Sequence, residues 1–264
     1  MGTKRKKQLP KLLAAGIALI LIAAAAAKLP GVWRDLSFGW EARTETELLV
    51  KAYADEHGVS YGAYPESLIA LLERNPETED FVLNYPFRRE RPIDMAEFDR
   101  SQGVPLMMQW DTRWGYLQYG ADVVGLTGCG PVCLAMAGWY VTGDETFAPD
   151  KVVDFALKNG YCAYGKGSSW TLISEGGEKL GLDVTEIPLV KGRIMDNLEA
   201  GNPIICVMGP GDFTTTGHFI VLVGTEDGKI KVNDPNSRAN SARLWSYEEM
   251  EGQFRNLWVI RAAG

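Results

Sequence analysis

The stretch "GLTGCGPVC", residues 125–133, brings two of the chain's four cysteines within four residues of each other. It opens a predicted helix that runs over residues 129–141 and ends at Thr142-Gly143, a pair typical of helix termination. The four-residue spacing places both sulfurs on one face of that helix. The pair is therefore open to four interpretations: a metal site, half of a disulfide, buried packing, or one reactive sulfur.

The two cysteines occupy different positions on the predicted helix. Cys129 lies at its N-terminus, where unpaired backbone N–H groups and the helix dipole favour a thiolate. Gly128 and Gly130 leave room for a carbonyl group to approach this sulfur. Cys133 lies one turn further along, among apolar side chains, and is predicted to pack. For Cys129 the alternative is the buried, inert thiol that cysteine commonly forms.

Beyond this helix, the chain predicts more helices first and an antiparallel sheet later. A helix follows Pro149, and the loop "GYCAYGKGSS" (residues 160–169) leads into a weak helix. The turn Glu226-Asp-Gly228 predicts a hairpin. Predicted strands are the runs DVTEIPLV, PIICVM, HFIVLVGT, KIKVND and NLWVIR, beginning at residues 183, 203, 218, 229 and 256. This order favours an α+β fold over a βαβ alternation.

The chain divides into four predicted segments. Residues 1–28 place a basic stretch before an apolar run, which indicates a signal peptide or an N-terminal membrane anchor with the bulk of the chain outside the cell. Residues 29–43 are predicted to be a tether. Residues 44–98 are predicted to form a small helical lobe, and residues 104–264 form the main domain.

The charge distribution narrows the classes of partner. The formal net charge is −7, but residues 1–28 hold six Lys or Arg and no acidic residue. Residues 29–264 therefore carry 21 basic against 34 acidic residues, a net charge of −13. Such an acidic body is a poor match for nucleic acid or an anionic membrane surface. Nucleic acid is excluded as a partner, and membrane contact is predicted through the N-terminal segment only.

Two histidines are the only candidates for an imidazole base. His57 ends a polar helix and is predicted to be a solvated surface residue. His218 follows a flexible glycine- and threonine-rich stretch and opens a strand. Across the predicted hairpin, Asp234 falls near the same open end and is placed to accept a proton from that imidazole. The alternative for Asp234 is an ordinary turn residue before Pro235.

The cysteine spacing gives little support to a metal site or a disulfide framework. A zinc set would need Cys129, Cys133 and His218 with one further cysteine, but the close pair lies inside a predicted helix rather than a loop. Cys162 lies in a predicted loop, and Cys206 is read as a small buried hydrophobe inside a strand. We predict no metal and no cofactor.

Several ordered motifs together resemble the cysteine peptidase family 39-like domain of the papain-like superfamily. They are VPLMMQWDTRWG, GCGPVCLAMAGWYVTG, GSSW, GNPIICVMG, GHFIVLVG and VNDPNS, spread over residues 104–261. The resemblance implies a papain-like fold, with a catalytic helix packed on an antiparallel sheet. It also implies that Cys129 is the nucleophile, His218 the general base, Asp234 the orienting residue and Gln109 an oxyanion-hole donor, with Gln118 as the fallback. Nothing resembles the membrane-spanning or nucleotide-binding parts of leader-processing exporters, so cleavage of double-glycine leaders is not implied.

Three functional hypotheses follow. The leading one is an exported or membrane-anchored cysteine peptidase that hydrolyses a peptide or related amide bond through a thioester, with a peptide or protein substrate and no obligate partner. The second is an acyl or peptidyl transferase that uses the same residues. The third is a catalytically silent cell-surface binding module, whose aromatic side chains line a groove instead of packing in the core. These aromatic residues are Trp110, Trp114, Tyr116, Tyr119 and Trp170.

Overall fold

The computed structural model describes residues 44–264, except residues 90, 164 and 166. The predicted signal peptide or anchor (1–28) and the predicted tether (29–43) lie outside the described residues. Among the helices formed by the residues that are described, none is both long and apolar enough to cross a membrane.

The described chain falls into two compact units, and the first is helical. It contains residues 44–74 together with Val82–Pro86. Its two long helices are α1 (Glu45–Glu56) and α2 (Glu66–Arg74). The side chains that α2 buries include the apolar positions predicted for its inner face, Leu68, Leu71 and Leu72. The spacing of these leucines therefore predicted the buried side of α2 correctly.

The second unit contains Asn75–Phe81 and Phe87–Gly264, so the helical lobe predicted over residues 44–98 contributes to both units. The short helix α3 (Glu79–Leu83) begins in the second unit and ends in the first. The remaining helices are α4 (Val124–Thr127), α5 (Cys129–Thr142), α6 (Pro149–Lys158), α7 (Ser174–Lys179), α8 (Lys191–Glu199), α9 (Arg238–Ala242) and α10 (Tyr247–Met250).

A five-stranded antiparallel sheet forms the centre of the second unit. Its strands are β5 (Leu182–Glu186), β6 (Ile204–Met208), β7 (His218–Glu226), β8 (Lys229–Asn233) and β9 (Phe254–Ala262). Four shorter strands precede them in the chain: β1 (Gln118–Tyr119), β2 (Asp122–Val123), β3 (Cys162–Ala163) and β4 (Gly167–Ser168). The large sheet has the order β5-β9-β6-β7-β8, with β6 between β9 and β7. β1 pairs with β2 and β3 with β4 in two small hairpins.

Both faces of the sheet are covered by helices. Side chains alternate between the two faces along each strand, so neighbouring residues of one strand belong to different core clusters. One face packs with α5 in the larger core cluster, to which β6 and β7 contribute Ile205, Val207, Phe219 and Val221. The other face packs against α8, through Ile204, Cys206, Met208, Ile220 and Leu222. The predicted interpretation of Cys206 as a small buried hydrophobe is confirmed, since this residue is 0% exposed.

The helix α5 is apolar on every side, as expected for a helix enclosed by other elements. All of its residues from Gly130 to Gly138 are buried, and it packs against β7 and β9. It ends at Gly143, whose φ of 67° is the left-handed conformation that favours glycine after a helix. The predicted span and stop of this helix are confirmed, and so is the α+β order of helices before sheet.

Three local elements differ from the sequence-based expectation. The predicted loop containing Cys162 forms the hairpin β3–β4, whose two-residue strands are too short to give an alternating pattern. The weak helix that follows is a 3-10 turn over Trp170–Leu172 and then α7. The helix α9 was not predicted, because its sequence "RANSA" has no apolar face.

Candidate active site

Cys129 is the first residue of α5, and Gly128 is the helix N-cap. The residue is partly exposed, and its sulfur forms no disulfide. Gly130 lets the β4 hairpin approach the start of the helix, since a Cβ at this position would lie 2.6 Å from Ser168 Oγ. The sulfur therefore lies at a helix N-terminus, with little side-chain bulk beside it along the chain.

His218 is the first residue of β7 and pairs with Met208 of β6. The imidazole is 8% exposed. Its Nε2 lies 2.7 Å from Asp234 Oδ1. This contact leaves Nδ1 as the ring nitrogen available to the Cys129 thiol, with which the imidazole interacts electrostatically. The structure therefore brings the three predicted residues together in the order Cys129, His218, Asp234.

The Asp234 carboxylate follows β8 and is 1% exposed, yet each of its oxygens is paired. Oδ1 accepts from the Asn236 N–H at 2.8 Å in addition to contacting His218. Oδ2 accepts from Asn240 Nδ2 at 2.8 Å. A buried carboxylate is tolerated when hydrogen bonds and an opposite charge replace water. Asp234 thus has both predicted properties. Its hydrogen bond from the Asn236 N–H is typical of a turn residue, and the same carboxylate orients the imidazole.

The electrostatics of the site favour an ion pair. Desolvation raises the pKa of the Cys129 thiol, but the hydrogen bond and charge of His218 and the N–H groups of Phe219 and Gly130 outweigh it, so this pKa lies below its ordinary value. Desolvation lowers the pKa of His218, but Asp234 and the Cys129 sulfur overcome it and raise this pKa to about 10. These opposite shifts favour a thiolate beside an imidazolium at neutral pH.

Gln109 contacts both α4, which directly precedes α5, and the turn that follows Asp234. Its side chain is 4% exposed, and Nε2 donates to Gly125 O at 2.9 Å. Its backbone N–H donates to Pro235 O at 2.7 Å. Oε1 is buried and has no hydrogen-bond partner among the described residues. The fallback residue Gln118 is different, because it is exposed and its amide donates to Gly120 O and Asp122 O within its own turn.

Cys133 and His57 have the non-catalytic roles that were predicted for them. Cys133 is 0% exposed in the larger core cluster, which confirms its predicted packing role. His57 is exposed at the C-cap of α1 and stacks on Tyr53, as predicted for a surface residue. All four cysteines are free. Within the described part of the chain, no group of three or more His, Cys, Asp or Glu side chains could hold a metal ion.

The aromatic residues suggested as a binding groove are mostly core residues. Trp110, Trp114 and Tyr119 are 6%, 1% and 0% exposed. Trp170 is different, because it is 47% exposed and packs edge-on against Trp258. Three of the five aromatic residues therefore pack in the core, which was the alternative to lining a groove.

Sequence reasoning missed the polar residues that surround the three central side chains. Asn240 and Ser241 of α9 hydrogen-bond to the Asp234 side chain and backbone, respectively. On the α5 side, the Tyr119 hydroxyl lies 2.7 Å from Ser168 Oγ. A serine three residues before an asparagine was a visible capping signal for α9, since Ser237 accepts from the Asn240 N–H. Tyr119 was named among the aromatic residues and Ser168 lies in the motif GSSW, but no signal indicated that their hydroxyl groups contact each other.

A known family and two solved structures are similar to this chain. The sequence profile of the Peptidase_C39 like family matches residues 101–263, more than half of the chain. A similar solved structure is the peptidase domain of Streptococcus ComA, a bi-functional ABC transporter involved in a quorum-sensing pathway; it is 20% identical over 61% of this chain and 99% of that chain, with a TM-score of 0.41. Another is a C39-like peptidase from Bacillus anthracis, 15% identical over 61% of this chain and 96% of that chain, with a TM-score of 0.36. No curated protein matches the chain.

Proposed function

The chain belongs to the Peptidase_C39 like family, and on that premise we propose that it is a thiol hydrolase that cleaves a peptide or related amide bond. Cys129 is the nucleophile, His218 the general base and acid, Asp234 the orienting residue, and Gln109 a donor to the oxyanion. The observation that carries this proposal is the His218 imidazole, which lies 2.7 Å from the buried Asp234 carboxylate and interacts electrostatically with the Cys129 thiol.

The first half of the reaction forms a thioester. The Cys129 thiolate attacks the substrate carbonyl carbon, and the carbonyl π electrons move onto oxygen. When the tetrahedral intermediate collapses, the C–N bond breaks and the imidazolium of His218 gives its proton to the departing amine. Asp234 holds Nε2 at 2.7 Å, so the ring keeps the orientation that directs Nδ1 at the sulfur.

We assign the stabilisation of the oxyanion to two N–H donors. The backbone N–H of Cys129 is the first of α5 and has no acceptor within its own helix. Gln109 Nε2 uses one hydrogen on Gly125 O, which leaves its second hydrogen for the developing negative charge. Donors that are already fixed in a buried site stabilise the transition state without reorganising.

The second half of the reaction releases the acyl group to water. His218, now neutral, takes a proton from a water molecule that attacks the thioester carbonyl. The C–S bond then breaks, the carboxylic acid leaves, and the proton retained on the imidazole restores the thiolate–imidazolium pair. Net consumption is one water molecule for each amide bond cleaved, and no cofactor takes part.

We also propose that the hydrolase acts outside the cytoplasm, as a secreted or membrane-anchored protein. The support is the basic stretch and apolar run within residues 1–28, which lie outside the described residues. Full-length protein in intact cells should be degraded by an added protease that leaves a cytoplasmic marker untouched. Resistance of the protein in intact cells, with degradation only after lysis, would contradict this location.

The hydrolytic function is tested with the full chain and a peptide mixture. Wild type and Cys129→Ala are incubated with peptides from a digested proteome in ¹⁸O-labelled water, and the products are identified by mass spectrometry. We expect new cleavages with wild type only, with ¹⁸O in the new carboxyl groups and an acyl adduct on Cys129. Cleavages shared by both proteins would contradict the proposal, and products joined to an added amine without ¹⁸O would indicate transfer instead.

A further inference from the structure

A carboxylate far away in sequence caps the turn that carries Asp234. Glu77 Oε2 accepts from the Arg238 N–H at 2.8 Å. Glu77 Oε1 accepts from the Ala239 N–H and from Ser237 Oγ, each at 3.2 Å. The Arg238 and Ala239 N–H groups belong to the first turn of α9 and have no acceptor within the helix, and Ser237 is the N-cap residue of that helix. Glu77 and Arg238 are 161 residues apart in sequence and lie in the same compact unit.

A second side chain of the same segment contacts the same turn. Asn75 Nδ2 donates to Asn236 O at 2.6 Å, and Asn75 Oδ1 accepts from the Glu77 N–H at 3.2 Å. Trp110 Nε1 also donates to Asn236 O, at 3.3 Å. Asn75 and Glu77 therefore hold residues on both sides of Ser237. We call this set of contacts between Asn75, Glu77 and residues 236–239 the α9 clamp.

The helix that the α9 clamp holds also contacts the Asp234 carboxylate. Asn240 donates from Nδ2 to Asp234 Oδ2 at 2.8 Å, and Ser241 Oγ accepts from the Asp234 N–H at 2.9 Å. A helix of five residues is far below the length at which a helix is stable alone. The placement of Asn240 against Asp234 therefore depends on whatever fixes the first turn of α9.

We propose that Glu77 is a positioning residue for the reaction: through α9 and Asn240 it holds Asp234 in the orientation that keeps His218 charged beside the Cys129 thiolate. This inference rests on the proposed function. It also extends the working unit beyond the family match, which begins at residue 101 and so does not include Glu77. The segment Asn75–Phe81 is part of the hydrolase in function as well as in packing.

The test follows the pH dependence of Cys129 alkylation by iodoacetamide in the full chain, located by mass spectrometry. Asn240→Ala should slow alkylation at pH 6 by about tenfold, since a hydrogen bond to a buried charge is lost. Glu77→Ala should slow it by about three- to tenfold and move the acidic limb of the profile to higher pH. The reason is that a less stabilised His218 cation favours ionisation of the Cys129 thiol less strongly. Glu79→Ala is the matched control, because Glu79 is exposed in the same short segment and should leave the profile unchanged.

A double-mutant cycle separates positioning from general stability. If Glu77 acts through Asn240, the double variant Glu77→Ala/Asn240→Ala should react no more slowly than Asn240→Ala alone. Additive losses would overturn the proposed route, and so would a Glu77→Ala profile identical to that of wild type. Thermal unfolding checks that each variant is folded. If Glu77→Ala is not folded, Glu77→Gln takes its place, since it keeps one acceptor oxygen. Its profile is then compared with that of the control Glu79→Gln by the same criterion. If Cys129 of wild type shows no enhanced reactivity, the proposed function itself is overturned. If wild type is reactive but the Glu77 and Asn240 variants react equally fast, only the role of Glu77 is overturned.

Discussion

The first and second turns of α5 carry one cysteine each, and the two sulfurs have opposite properties. The His218 imidazole and the backbone N–H groups of Phe219 and Gly130 lower the pKa of the Cys129 thiol, although burial opposes them. Cys133 is one turn away on the same helical face. Its pKa is raised well above the ordinary value, by burial and then by the negative charges of Cys129 and Asp234. One turn of helix separates a candidate thiolate from a thiol that stays neutral.

The comparison shows that the helix alone does not activate a cysteine. Both residues belong to the same apolar helix, and desolvation opposes ionisation of both. The difference comes from His218 at the start of β7, which interacts with Cys129 in the first turn of α5 and not with Cys133 in the second. An identical residue type in neighbouring turns therefore serves chemistry in one place and packing in the other.

The largest effect should come from exchanging each sulfur for oxygen. Cys129→Ser should abolish labelling by iodoacetamide at neutral pH and leave the free energy of unfolding nearly unchanged. Cys133→Ser should keep the labelling but lower the free energy of unfolding by about 1–3 kcal/mol, because a hydroxyl replaces an apolar contact in the core. Rate measurements and urea unfolding of both variants check this crossed pattern. Loss of labelling in Cys133→Ser, with the fold intact, would contradict it.

Removal of the imidazole should make the first turn resemble the second. In His218→Asn the Cys129 thiol loses its charged partner, and a thiol with a pKa near 8.5 is only a few per cent ionised at pH 7. Alkylation at pH 7 should therefore slow by at least about 30-fold. The control is His57→Asn, which changes the exposed histidine and should react like wild type. Equal rates in wild type and His218→Asn would show that the helix N-terminus suffices.

Substitution of Gln109 should separate oxyanion stabilisation from thiolate formation. Gln109→Ala should slow acylation of Cys129 by p-nitrophenyl acetate by about 10–100-fold, since one oxyanion donor is lost. Its alkylation by iodoacetamide, which forms no oxyanion, should stay within about twofold of wild type. Gln118→Ala is the matched control, because its amide is exposed and bonded within its own turn. Parallel losses in both reactions would mean that Gln109 only supports the local structure.

The smallest effect concerns the pH dependence of stability. In Cys129→Ala the thiol no longer contributes, while Asp234 still raises the pKa of His218 above its ordinary 6.5. A group with a raised pKa stabilises the fold fully below its unfolded pKa and loses this contribution as the pH rises toward its folded pKa. The free energy of unfolding of Cys129→Ala should therefore fall as the pH rises above about 6.5.

Wild type should show a flatter dependence over the same range, up to the ordinary thiol pKa of about 8.5. There the lowered pKa of Cys129 makes folding release a proton, which offsets the proton taken up by His218. Urea unfolding at several pH values measures both slopes, and Cys129→Ala/Asp234→Asn should lose most of the slope. A wild-type slope equal to that of Cys129→Ala would mean that the thiol is not ionised in the native state.

Much of the sheet was predictable, because its strands have long apolar runs. The runs beginning at residues 203 and 218 became β6 and β7, and their burial on both faces explains why they read as continuous rather than alternating. The hairpin turn is Asp227-Gly228, where both residues have positive φ. The prediction was one residue longer, since β7 extends through Glu226.

The site was predictable only in part, for reasons of distance along the chain. Two histidines and one hairpin sufficed to pair His218 with Asp234, although the register shift between Leu222 and Gly224 was not visible in the sequence. The contacts of Asn240 and Glu77 were missed, because polar residues in short elements carry no periodic signal. A partner 161 residues away cannot be found from local pattern alone.

The most direct test of the central claim is the ionisation of Cys129 itself. The ultraviolet absorbance of the thiolate is titrated in wild type and in Cys129→Ala, and the difference is assigned to this sulfur. We predict half-ionisation below pH 8.5, the ordinary value for a free thiol, with the signal lost in His218→Asn at neutral pH. Half-ionisation at or above about pH 8.5 would contradict the thiolate–imidazolium pair on which the proposed hydrolysis depends.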